Sequence, residues 1–110
     1  MKLSEKRVLF TRLLCRLVLE SAYDLAFGEG YVALTDAADG DYDGPHKKGG
    51  GHYSGLGIDL LLYDNGVYVT GDHPAWQDIG PRWEAMNPLC RWGARFGDPN
   101  HFSLEHEGRA

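Results

Sequence analysis

Along the first quarter of the chain the apolar positions Val8, Leu9, Leu13, Leu14, Leu17, Val18 and Ala22 recur three and four residues apart. That is the spacing of one helix face. Ser4 stands ahead of them as the expected N-cap, and Gly28 and Gly30 close the pattern. The reading is an amphipathic helix of about six turns, with Arg7, Arg12, Arg16 and Glu20 towards water. Tyr31 to Leu34 then reads as a short strand. From 36 to 55 apolar residues almost vanish and Asp, Gly, His, Lys and Pro take over, which predicts a long polar, Gly-rich loop of the functional or disordered kind. Gly57 to Tyr63 reads as a buried strand and Val67 to Thr70 as its partner, joined through the hairpin turn Asp64-Asn65-Gly66. Asp72 is placed to cap a second helix entered through Pro74 and running from Ala75 to about Met86. Trp76, Ile79 and Trp83 form its inner face, and Gly80-Pro81 is expected to kink or split it. Trp92 to Phe96 and Phe102 to Leu104 read as short extended segments. These elements predict an α+β class, with helices packed on a small, mostly antiparallel sheet, in a single domain over 1–110.

At 110 residues the chain has room for one modest core. Its 43% hydrophobic and 25% charged residues are an ordinary globular balance. The net charge of -5 lacks the basic footprint of a nucleic-acid binder and opposes capture by an anionic membrane. Neither partner is expected, nor is an oligomer. Cys15, among apolar helix positions, and Cys90, after Pro88-Leu89, read as simple buried thiols rather than a disulfide framework. Lys2, Lys6 and Arg7 precede an apolar stretch as in a signal peptide, but Arg12 and Arg16 interrupt it and no small-residue cleavage site follows. The expectation is synthesis in the cytoplasm without an export signal.

The chemistry lies in two stretches, His52-Tyr-Ser-Gly-Leu-Gly-Ile-Asp59 and Asp98-Pro-Asn-His101. Two imidazoles and one carboxylate, His52, Asp59 and His101, are the ligand set of an open catalytic zinc site. Asp98 would be a second carboxylate placed to accept a proton from water. Seven extended steps from His52 to Asp59 would cover about 23 Å, so the backbone must fold back to share an ion; Gly55 and Gly57 suit such a bend. Asp98 and Pro99 occupy the first two positions expected of a type I turn, which would bring Asp98 close to His101. Each residue has a plainer explanation: Asp98 as turn former, His101 as a half-exposed histidine. Asp59, inside Ile58-Asp59-Leu60-Leu61-Leu62, is harder to dismiss, because a carboxylate there must be paired, bonded or bound to metal. His46 reads as solvated or substrate-facing, His73 as part of a helix start and His106 as a surface residue. Gly49-Gly50-Gly51 lacks the strand and the Gly-Lys-Ser/Thr of a phosphate loop. Trp76, Trp83 and Trp92 read as core and cleft walls rather than as a sugar platform.

On these residues the chain resembles the M15 (VanY/VanX-like) zinc peptidases, and among them the phage and prophage endolysins that cleave between L-alanine and D-glutamate in peptidoglycan stem peptides. The family pattern Ser-x-His-x-x-Gly-x-Ala-x-Asp is met by Gly50-Gly51-His52-Tyr53-Ser54-Gly55-Leu56-Gly57-Ile58-Asp59, and Asp/Glu-x-x-His by Asp98-Pro99-Asn100-His101. His73-Pro74-Ala75-Trp76 and the run from Arg91 to Gly97 also follow the endolysin pattern. The resemblance implies a hedgehog/D-Ala-D-Ala-peptidase-like fold, zinc held by His52, Asp59 and His101, and Asp98 as general base. It further implies a peptidoglycan stem peptide as substrate and action on the wall after release from the host. Gly50 replaces the motif serine and Gly57 the alanine. The stretch 34–40, where the family has an arginine, contains none, and Lys47 or Lys48 is the substitute at hand. The same motifs would serve a D-Ala-D-Ala carboxypeptidase or dipeptidase. The missing arginine also admits a zinc-binding homologue that recognises the wall without turnover.

Overall fold

In the computed structural model, which describes residues 1–28 and 55–108, strand β2 (Gly57–Asp64) organises the sheet. Its residues alternate between two environments. Ile58, Leu60 and Leu62 are buried, whereas Asp59, Leu61 and Tyr63 are only partly covered. Strand β1 (Asp24–Phe27) pairs along one edge of β2, with Asp24 opposite Tyr63 and Phe27 opposite Leu60. The other edge is shared. Strand β3 (Val67–Val69) pairs with residues 62–64, and strand β5 (His101–Leu104) pairs with residues 57–59. Strand β4 (Cys90–Trp92) completes a five-stranded sheet of order β1-β2-β5-β4, every pairing antiparallel. Two helices, α1 (Leu3–Glu20) and α2 (Trp76–Met86), pack on the face carrying Ile58, Leu60 and Leu62. The class is α+β, as the hydrophobic pattern implies.

Phe10, Leu13, Leu14 and Leu17 form the buried stripe of α1 at helical spacing. They meet Trp76, Ile79 and Trp83 of α2, and Phe102 and Leu104 of β5. Trp83 is the hub: its ring makes edge-to-face contacts with Phe10 at 5.9 Å and Phe102 at 6.2 Å. Its Nε1–H donates to the carbonyls of Arg91 and Ser103, both at 3.2 Å. A buried indole donor is thereby satisfied and α2 is tied to β4 and β5. The β2–β3 connection is the expected tight hairpin: Asn65 and Gly66 have φ of 50° and 78°, the paired positive values of a type I′ turn.

Several expectations are corrected. Helix α1 begins before Ser4, which lies exposed in the first turn; the Lys2 backbone N–H is taken by the Glu5 carboxylate at 2.9 Å. It ends at Glu20, not near Gly28, because Ser21 Oγ accepts from the Tyr23 N–H at 3.0 Å and turns the chain. Ala22 therefore falls beyond the helix, and Asp24–Phe27 form β1: pairing with β2 overrides a local pattern that reads as helical. Cys15 is exposed, on the outer side of α1, whereas Cys90 is buried as expected. At the start of α2 it is His73 Nδ1, not Asp72, that accepts a backbone hydrogen bond, from the Ala75 N–H at 3.0 Å. Helix α2 runs through Gly80-Pro81 without a break. Pro81 and Gln77 both face solvent, so the carbonyl deprived of its donor is free to meet water. Gly80 is needed because a Cβ there would lie 2.1 Å from the Trp92 ring. Finally, Trp92 ends β4, and Gly93–Phe96 is a 3₁₀ turn rather than a strand. The strand expected at 31–34, nearly all of the loop expected at 36–55, and with it His46, Lys47, Lys48 and His52, lie outside the described residues.

Candidate metal centre

Asp59 and His101 stand opposite each other in the β2–β5 ladder. Directly opposed residues share a face, here the one turned away from the helices. His101 Nδ1 and Asp59 Oδ1 are 3.2 Å apart, with the two side chains 13% and 25% exposed. Asp98 joins them: one donor atom from each of Asp59, Asp98 and His101 lies within 4.8 Å of the others.

The approach of Asp98 has a local cause. The 3₁₀ turn after β4 closes with Gly97 in the left-handed region at φ 77°. The Gly97 N–H donates to the Ala94 carbonyl at 2.9 Å and the Asp98 N–H to the Gly93 carbonyl at 3.0 Å. These two bonds are the Schellman arrangement, which makes Gly97 the pivot and sets Asp98 down at a fixed place. The chain then reverses as expected, the His101 N–H donating to the Asp98 carbonyl at 3.1 Å. Trp92 Nε1–H clamps this reversal through the Pro99 carbonyl at 2.6 Å. Asn100 clamps it against β2: its carbonyl accepts from the Leu60 N–H at 2.9 Å and its Nδ2 donates to the Leu60 carbonyl at 3.3 Å.

Two further positions are set by space. A Cβ on Gly93 would lie 2.5 Å from the Asp98 carbonyl oxygen and 2.8 Å from His101 Cβ. Gly28 donates to the Asp59 carbonyl at 2.8 Å, and a Cβ there would meet that same oxygen. No local pattern gave Asn100, Gly93 or Gly28 a part in positioning the site, since each acts through contacts made across the sheet. Gly55 has a φ of 78°, the left-handed conformation that favours glycine, and Gly57 is the first residue of β2; the return of His52 towards Asp59 lies outside the described residues.

The donor set suits a divalent cation. Imidazole and carboxylate are the donors such an ion takes, and the 3.2 Å between His101 Nδ1 and Asp59 Oδ1 is a hydrogen-bond spacing that holds the two side chains together. Two carboxylates drawn this close repel, and a cation between them would offset that repulsion. The remaining described histidines have other work. His73 holds the start of α2, and His106 is half-buried, with Nδ1 3.1 Å from the Lys6 ammonium rather than on open surface.

No known family profile matches the chain, and no curated protein matches it either. Its fold is similar to a solved structure, the Serratia marcescens L-Ala D-Glu endopeptidase ChiX. The TM-score is 0.62 at 17% identity, over 87% of this chain and 77% of that one. The likeness is one of architecture alone, and in this chain that architecture carries the Asp59, Asp98 and His101 cluster.

Proposed function

We propose that the protein is a zinc-dependent endopeptidase of bacterial peptidoglycan stem peptides, cutting the L-Ala–D-Glu bond, and belongs with the phage-type M15 peptidases. The observation that carries the reading is the meeting of Asp59, Asp98 and His101 within 4.8 Å, in a fold similar to an enzyme described as an L-Ala D-Glu endopeptidase. His52, Asp59 and His101 are the metal ligands in this reading. Bound there, zinc supplies Lewis acidity to the scissile carbonyl and to water. Asp98, exposed and held by the Gly97 pivot, takes the proton from the attacking water and returns it to the leaving amine. Asp59 and His101, fixed across two strands, give the site its rigidity.

Metal analysis followed by digestion of defined muropeptides tests the reading. One zinc per chain and new N-terminal D-Glu ends, read by mass spectrometry, are expected. His52→Ala should lose the metal, whereas Asp98→Ala should keep it and lose turnover. Release of D-alanine instead would make the enzyme a carboxypeptidase. A zinc-loaded protein that leaves every muropeptide intact would refute hydrolysis.

A further inference from the structure

The strand that carries Asp59 continues away from it. Leu61 and Tyr63 follow on the same side of β2, since alternate residues share a face. Tyr68 of β3 stands opposite Tyr63, and the two rings are in contact with centroids 5.7 Å apart, tilted by 47°. Tyr68 is 50% exposed and Tyr63 half-buried. Among the described residues neither phenol hydroxyl has a hydrogen-bond partner. Ala26 and Asp24 of β1 border the same strip, opposite Leu61 and Tyr63. Tyr63 lies four steps beyond Asp59, about 14 Å along the strand. The other face of this segment, Leu60 and Leu62, is buried under the helices, so the tyrosines are surplus to the core.

We infer that Tyr63 and Tyr68 form a sugar-binding platform that holds the glycan of the same muropeptide whose stem is cut beside Asp59, Asp98 and His101. This rests on the reading of the site as a stem-peptide endopeptidase. In such a substrate only one alanyl residue and a lactyl ether separate the scissile bond from the first sugar ring, and the second ring follows directly. An extended residue spans about 3.5 Å, so the disaccharide comes to the reach of the tyrosine pair. Aromatic rings take the apolar face of a pyranose, and unpartnered phenol hydroxyls take its hydroxyl groups. The tryptophans cannot serve: Trp76 and Trp83 are buried, and Trp92 is pinned between Gly80 and the Pro99 carbonyl.

The test compares a disaccharide-bearing muropeptide with the same stem peptide lacking sugar. In the parent, kcat/KM should favour the sugar-bearing substrate by roughly tenfold, the scale of one such aromatic contact. Tyr68→Ala and Tyr63→Ala should erase that preference, and Tyr68→Phe should keep most of it. In parallel, the peptide-free disaccharide should shift the ring signals of Tyr63 and Tyr68 in NMR spectra. A preference that survives both alanine variants, or equal losses on both substrates, overturns the inference, as do ring signals that stay unmoved. Ring shifts without any hydrolysis would instead refute the endopeptidase reading and leave the sugar platform standing.

Discussion

The two faces of β2 follow different rules. On one, Ile58, Leu60 and Leu62 are packed against α1 and α2, where shape and apolar area decide the residue. On the other, Asp59 is held by its register with His101 and by hydrogen bonds that fix the Asp98–His101 reversal. The first face sets how firmly the protein folds; the second, under the proposed function, carries the chemistry. Substitutions should therefore separate into those that change stability and those that change chemistry.

The largest effect is expected on the polar face. Asp98→Ala should lower kcat by about 10²- to 10⁴-fold, the range for a lost general base. Because Asp98 is exposed, its unfolding free energy in denaturant without metal should stay within about 0.5 kcal/mol of the parent. On the apolar face, Phe102→Ala should cost about 3–5 kcal/mol in denaturant unfolding, since it empties a fully buried site between Trp76 and Trp83. Any loss of rate there should follow the folded fraction.

Gly93→Ala tests the seam between the two faces. Its Cβ would press on the Asp98 carbonyl and His101 Cβ, so the turn must shift. We expect about 1–3 kcal/mol of destabilisation by thermal unfolding, together with weaker zinc binding by competition with a chelator. A variant with unchanged metal affinity would show that the turn does not position the site.

The smallest effect concerns the thiols. Burial pushes the Cys90 thiol from about 9.0 up to about 12. Below pH 9 it is neutral folded or unfolded. Between 9 and 12 the unfolded chain ionises first, so the stability that this thiol contributes falls as pH rises through that window. Thermal unfolding from pH 8 to 11 should show a steeper decline in the parent than in Cys90→Ala. In native protein, thiol reagents should modify exposed Cys15 quickly and Cys90 only after unfolding.

What could be read from the sequence was what is local. Asn65-Gly66 declares its own turn, Trp76, Ile79 and Trp83 declare a helix face, and Asp98-Pro99 declares a reversal. Asp59 drew notice as a carboxylate in an apolar run, and its partner His101 came from motif spacing. The rest depends on residues far apart in sequence. Asp24–Phe27 became a strand only because β2 offers an edge to pair with, and Gly93 is required only because Asp98 and His101 fold over it. Cys15 looked apolar among its neighbours but points out from the helix, which no spacing argument resolves by itself.

The contact between Asp59 and His101 spans 42 positions of the chain. During vectorial synthesis β2 emerges before β5, so this pairing cannot form until residues 101–104 have been made. An incomplete polypeptide thus holds its own core segments yet possesses no assembled cation site. The Asp59, Asp98 and His101 cluster is complete only once the last strand is in place, so under the proposed reading a chain still lacking β5 has no finished metal site.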